Sequence, residues 1–238
     1  MSASPDSAIG TFLPLAARNA IVELLLDDLG AAPRPHGPLV ARAARILALA
    51  PGTVLAATGD ADHRHVVGAL RAAGVLAWSS PDGADQASIA VVRVAVPWGA
   101  LAAQRLRAYA SALADARHGR DLPSRFAQAR ALFAARLFFE VHEVLEPPWQ
   151  SATGREREHL QGVIQAAVAW HHATSGNRAG ALRLATSARV KLDDAPPSWH
   201  GFPLRELHGA VERLVEQLAE GGSGIAPEPP WSGGAPSR

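Results

Sequence analysis

From residue 98 onward the chain reads as one helical period after another, each closed by proline or glycine. In the last of these segments Leu204, Leu207, Val211, Leu214, Val215 and Leu218 fall at the three- and four-residue spacing that lines one helix face. An apolar stripe of that kind has to be buried, so neighbouring helices must pack on one another. The same reading predicts helices at 100–117, 123–134, 137–146, 155–173 and 179–192. Pro123 suits a first turn, Pro147-Pro148 is expected to stop the third of these helices at Glu146, and Gly176-Asn177 closes the fourth. Residues 221–238 are rich in Gly, Pro and Ser and are expected to be disordered.

The first hundred residues read differently. Helices are predicted at 16–29, 39–50 and 62–73, and strands at 53–58, 75–78 and 89–96, the last rich in β-branched residues. The polar run 79–86 supplies turn chemistry between the last two strands, which should form an antiparallel hairpin. Two arrangements fit this order: a winged helix, or a small βαββ sheet with 53–58 parallel to 75–78. The expected fold class is therefore mainly α, an all-helical C-terminal bundle preceded by a small α+β domain. The expected boundaries are 1–97 for that winged-helix-like domain, 98–121 for a linking helix, 122–220 for the bundle and 221–238 for the tail.

Composition removes several function classes. The formal net charge is +1, so the overall balance implies neither a polyanion nor a membrane surface as partner. The absence of cysteine excludes disulfides, zinc ribbons and thiol nucleophiles. The opening residues lack a signal-peptide pattern, and the apolar stretch 12–29 carries Arg18, Glu23, Asp27 and Asp28, so no membrane span is expected and a cytoplasmic location is. Gly-x-Gly-x-x-Gly, phosphate-loop and Gly-x-Ser-x-Gly patterns are absent from the sequence.

Chemistry concentrates in Phe138-Phe139-Glu140-Val141-His142-Glu143-Val144-Leu145-Glu146-Pro147-Pro148-Trp149, which sets an imidazole and three carboxylates on one short helix. Charged groups are rarely buried alone, so the cluster is solvated, internally paired or built for a ligand. Phe138, Val141, Leu145 and Trp149 share one side, with His142 at its edge and Glu146 one turn on. Glu143 is expected to meet solvent or a cation such as Arg155 or Arg157. On the helix from 155, Gln161, Gln165 and His172 align. Packed as a hairpin, the two helices would bring His142, Glu146, Gln161, Gln165 and His172 together, a set suited to a divalent metal, an acid/base site or a small-ligand pocket. A closed structural network is the alternative. The pattern His-Glu-x-x-Glu lacks the second histidine of a metalloprotease helix, so metal binding would draw on His142, Glu146 and His172.

The run 138–149, followed by Leu160-Gln161-Gly162-Val163-Ile164-Gln165, then His172, Gly176-Asn177 and Gly180-Ala181, resembles the bacterial family known as domain of unknown function 309, over about residues 122–194. The resemblance implies an all-helical bundle and little about activity. It marks His142, Glu143, Glu146, Trp149, Gln161, Gln165, His172 and Asn177 as signature polar positions. Gly162 and Gly180 are expected to permit close helix approach.

Residues 34–107 hold eight arginines against four aspartates, a difference of +4, with no Lys or Glu. In a winged helix, His63-Arg64-His65 would open the recognition helix, 79–86 would form the wing, and Arg64 and Arg71 would meet phosphates. Asp60 and Asp62 oppose that role. Two functions therefore stand at this stage: a His/Glu/Gln site that binds a metal or small molecule, or a regulatory or interaction module, with nucleic acid or protein as partner and the polar cluster structural.

Overall fold

The computed structural model describes residues 13–32, 34, 37–56, 60–79, 90–220 and 228–231. Those residues are mainly helical with one three-stranded sheet, and the chain divides into two units, residues 1–114 and 115–238. No helix among the described residues is long and apolar enough to cross a membrane.

In the first unit α1 (Leu15–Gly30), α2 (Leu39–Ala48) and α3 (Ala61–Ala72) pack on one another around Leu24, Leu25, Leu39, Val40, Val66 and Leu70. Asp28 is buried in α1 and accepts from the Leu39 and Val40 amides at 3.0 Å each, so one helix caps the open amino end of the next. Burial pushes its carboxyl pKa up, against the lowering effect of those two amides and of Arg34.

Strands β1 (Val54–Ala56), β2 (Leu76–Ser79) and β3 (Ala90–Arg93) form a sheet of order β1-β3-β2. The expected antiparallel pairing of the last two strands is present, with Leu76 opposite Arg93. The expectation that the first strand runs parallel to the second also holds, because both are antiparallel to β3, which lies between them, so the two do not pair. Bonds from the Gly52 amide to Arg93 O (2.8 Å) and from the Arg93 amide to Thr53 O (3.0 Å) continue that ladder. Buried Arg93 also donates through Nε and Nη2 to Leu47 O, at 3.2 Å each, satisfying a carbonyl at the end of α2. Residues 80–89, which include most of the expected wing, lie outside the described residues. The segment expected as a linking helix is α4 (Gly99–Asp115), which belongs to the first unit through residue 114.

The second unit runs α5 (Leu122–Ala134), α6 (Phe138–Ser151), α7 (Gly154–Thr174), α8 (Arg178–Leu192) and α9 (Leu204–Ala219), each packed on the next. Asp121 starts α5 by accepting from the Ser124 amide at 2.8 Å. Gly162 sets the α7–α8 approach: a Cβ there would lie 2.8 Å from Leu192 Cγ. Gly180 has a different role from the one expected, since its Cβ would strike the Asn177 side chain that caps α8.

Two expectations fail in this unit. The helix expected to stop at Glu146 continues through Pro147 and Pro148 to Ser151. Pro148 has no N–H for Val144 O four residues back, and Arg125 Nη1 of α5 donates to that carbonyl instead, at 2.7 Å. Arg157 Nη1 then covers the helix end, donating to Trp149 O at 2.7 Å and Gln150 O at 3.3 Å. An arginine of α5 thus replaces the donor that Pro148 lacks, and an arginine of α7 serves the carbonyls at the helix end. The tail expected to be loose includes a docked stretch at 228–231. The Trp231 ring meets Phe133 at 5.9 Å and Phe202 at 5.2 Å, its Nε1 donates to Glu206 Oε2 at 2.7 Å, and Glu228 pairs with Arg136 at 3.7 Å. An indole offers too much apolar area to stay solvated when an aromatic surface is within reach.

Candidate functional site

Helices α6 and α7 are joined by two residues, so they run antiparallel. Two contacts fix their register. Arg157 lies 4.1 Å from the Trp149 ring centre near the connection, and Phe139 and His171 meet at 6.4 Å near the far end. That register sets Gln161 level with Glu146 and Gln165 level with His142. Along α6 the half-buried positions include His142, Glu143, Glu146 and Trp149; along α7 they include Gln161, Gln165, Val168 and His172. The seam between two otherwise buried helix faces is therefore polar on both sides.

His142, Glu143 and Glu146 are, among the described residues, the one group of at least three histidine or acidic side chains that each offer a ligand atom within 4.8 Å of the others. His142 Nδ1 lies 3.1 Å from Glu143 Oε1, with the two side chains 32% and 25% exposed. The bond to Glu143 is the main cause raising the His142 pKa above 6.5, with burial opposing it and the charges of Glu143 and Glu146 adding to it. Glu146 Oε1 accepts from Gln150 Nε2 at 3.1 Å.

The arrangement differs from the sequence expectation in two residues. Glu143 turns to His142 rather than to Arg155 or Arg157, which are engaged with Asp194 and with Trp149 respectively. His172 lies outside the group. The antiparallel register carries it past the beginning of α6, where its Nδ1 meets Asn177 Nδ2 at 3.1 Å. Asn177 Oδ1 accepts from the Gly180 amide at 3.0 Å, so its Nδ2 donates, and the neutral His172 carries its proton on Nε2. Asn177 is a helix cap, with His172 beside it.

Arg125, which serves Val144 O midway along α6, was not singled out from the sequence, and Arg157, which covers the helix end, was named only as a possible partner of Glu143. The signal for Arg125 was indirect: two prolines in a helical pattern demand donors from elsewhere. Glu140, counted in the sequence with the other two carboxylates of the motif, is fully buried in α6. His159 is buried against Trp199 (5.8 Å between rings) and lies 3.4 Å from Asp194 Oδ1. Burial is the main cause lowering its pKa.

On the first unit, other basic side chains near the amino end of α3 are set among acids. Arg34 pairs with Asp28 and Asp62, Arg42 with Asp60, and His65 with Asp27. Asp60 also caps α3 at the His63 amide, 2.6 Å away. Arg64 is exposed and Arg71 half-buried on the same helix.

Residues 126–184, from α5 into α8, match the family described as domain of unknown function (DUF309). The match takes in the whole of α6 and α7 and so every member of the seam. No curated protein and no solved structure matches the chain.

Proposed function

Starting from a segment whose family has no assigned activity, we propose that the second unit binds a first-row divalent metal ion through His142, Glu143 and Glu146. The observation that carries this reading is the spacing of their ligand atoms. At a bond length of about 2.1 Å, two ligands 3.1 Å apart subtend about 95° at the metal, close to an octahedral cis angle. Atoms up to 4.8 Å apart exceed the roughly 4.2 Å span of opposite ligands, so the widest pair closes by a small rotamer adjustment. One imidazole and two carboxylates suit Mn, Co or Zn better than a soft ion. Three protein ligands leave positions for water or substrate, the arrangement of a catalytic rather than a structural centre.

Binding displaces the proton shared by His142 and Glu143, so affinity should rise with pH. Equilibrium dialysis against Co2+ and Zn2+ tests the proposal. One ion per chain is expected, with loss of at least tenfold in affinity in His142→Ala and in Glu146→Gln. Stoichiometric binding that survives both changes would refute it.

A second reading concerns the first unit, where α3 followed by an antiparallel pair of strands supports a winged-helix-like interaction module. Its acids flank the amino end of α3 and neutralise Arg34 and Arg42, which favours a protein partner over a polyanion. Salt-insensitive failure to retain duplex DNA would agree with that preference. Retention that weakens with salt and with Arg64→Ala would overturn it.

A further inference from the structure

Two polar atoms in the α6–α7 seam are buried from solvent and have no hydrogen-bond partner among the described residues. They are the Trp149 Nε1 donor and the Gln165 Oε1 acceptor. Leaving such a group unmatched costs more than an ordinary hydrogen bond returns, and here one donor and one acceptor stand on facing helices. Helical side chains lean toward the amino end of their own helix. Trp149 therefore leans back toward the level of Glu146, and Gln165 toward that of Gln161. In the antiparallel register these are the same level. Arg157 fixes the indole, with its guanidinium 4.1 Å from the ring centre and its Nη1 held by the carbonyls of Trp149, Gln150 and Ala152.

We propose that Trp149 and Gln165 form the organic half of the metal site and recognise a carboxamide. The carbonyl oxygen of the ligand accepts from Trp149 Nε1, and its N–H donates to Gln165 Oε1. A carboxylate offers no donor to Gln165 and leaves that acceptor unmatched. An ammonium group offers no acceptor to Trp149. A neutral group with acceptor and donor side by side satisfies both. This inference rests on the metal reading, because the ion beside Glu146 is what holds the polar head of the ligand in place.

Acetohydroxamic acid and acetate separate the possibilities, each titrated by visible absorption into the full chain loaded with Co2+. Both reach the metal through oxygen, but only the hydroxamate carries an N–H. Gln165→Met should leave affinity for Co2+ and acetate within about twofold and weaken the hydroxamate about fivefold to tenfold. Trp149→Phe should weaken both ligands about fivefold; if that variant does not fold, Gln165→Met alone decides. Hydroxamate affinity indifferent to Gln165→Met overturns the carboxamide assignment and leaves a buried water as the occupant. Failure of the unsubstituted chain to take up Co2+ overturns the metal reading itself, a separately visible result.

Discussion

Replacing Arg125 with Met tests how α6 survives its two prolines, and thereby what holds His142 and Glu146 on one continuous helix. The substitution keeps much of the apolar stem and removes the donor to Val144 O, 2.7 Å away. A hydrogen bond from a charged donor contributes about 1.5–3 kcal/mol, and the carbonyl it leaves behind sits in a buried residue. A loss of about 2 kcal/mol is therefore expected. The second arm is Pro148→Ala, which restores the backbone N–H that the helix would otherwise direct to Val144 O. In that background Arg125→Met should cost about 1–2 kcal/mol less, because the carbonyl keeps a partner. Contributions common to both backgrounds, such as the stem's packing and the bond from Arg125 Nε to Arg120 O, cancel in the cycle. Urea unfolding followed by tryptophan fluorescence reads the coupling, since Trp149, Trp170, Trp199 and Trp231 all lie in the second unit. Additivity within about 0.3 kcal/mol would refute the idea that Arg125 substitutes for the missing amide.

Gly162→Ala should destabilise the second unit by about 1–3 kcal/mol, and Leu192→Ala should relieve part of that, because the new Cβ would lie 2.8 Å from Leu192 Cγ; thermal melts of both single variants and the double variant check it. Asn177→Ala should cost about 1 kcal/mol through the lost α8 cap and release His172 from its single tautomer, visible in imidazole nitrogen chemical shifts. In the metal-free protein His142 should titrate above 6.5 by NMR and fall in Glu143→Gln. Because its folded pKa is raised, its contribution to stability is complete below 6.5 and is lost as pH rises through the folded value. Trp231→Ala should speed hydrogen exchange around Phe202 and Glu206 while leaving α6 amides unchanged, since the indole contacts the former.

Much of the second unit was legible because the physics is local. The helices between residues 98 and 219 follow from apolar spacing and from Pro, Gly and Asn punctuation. The adjacency of His142 and Glu146 follows from 3.6 residues per turn. What was not legible depends on a partner distant in sequence. Pro147-Pro148 reads as a stop until Arg125, more than twenty residues earlier, supplies the missing donor. Trp231 reads as part of a polar tail until Phe133 and Phe202 come within reach. His172 shares a stripe with Gln165, but the level at which that stripe meets α6 is set by the two-residue connection, and it leaves His172 beyond the first turn. Glu143, placed outward by helical angle alone, turns to the imidazole of its neighbour His142, while Arg155 and Arg157 are engaged elsewhere. In the first unit the strands were visible as β-branched runs, whereas their order needed the register of β3 against both others.

The most direct test is an anomalous-scattering map from crystals grown with Co2+. A single peak is expected within about 2.2 Å of one atom each from His142, Glu143 and Glu146. A peak elsewhere, or full-occupancy crystals in which the His142–Glu143 bond persists with no peak beside it, would contradict the metal centre and leave the cluster as a structural network.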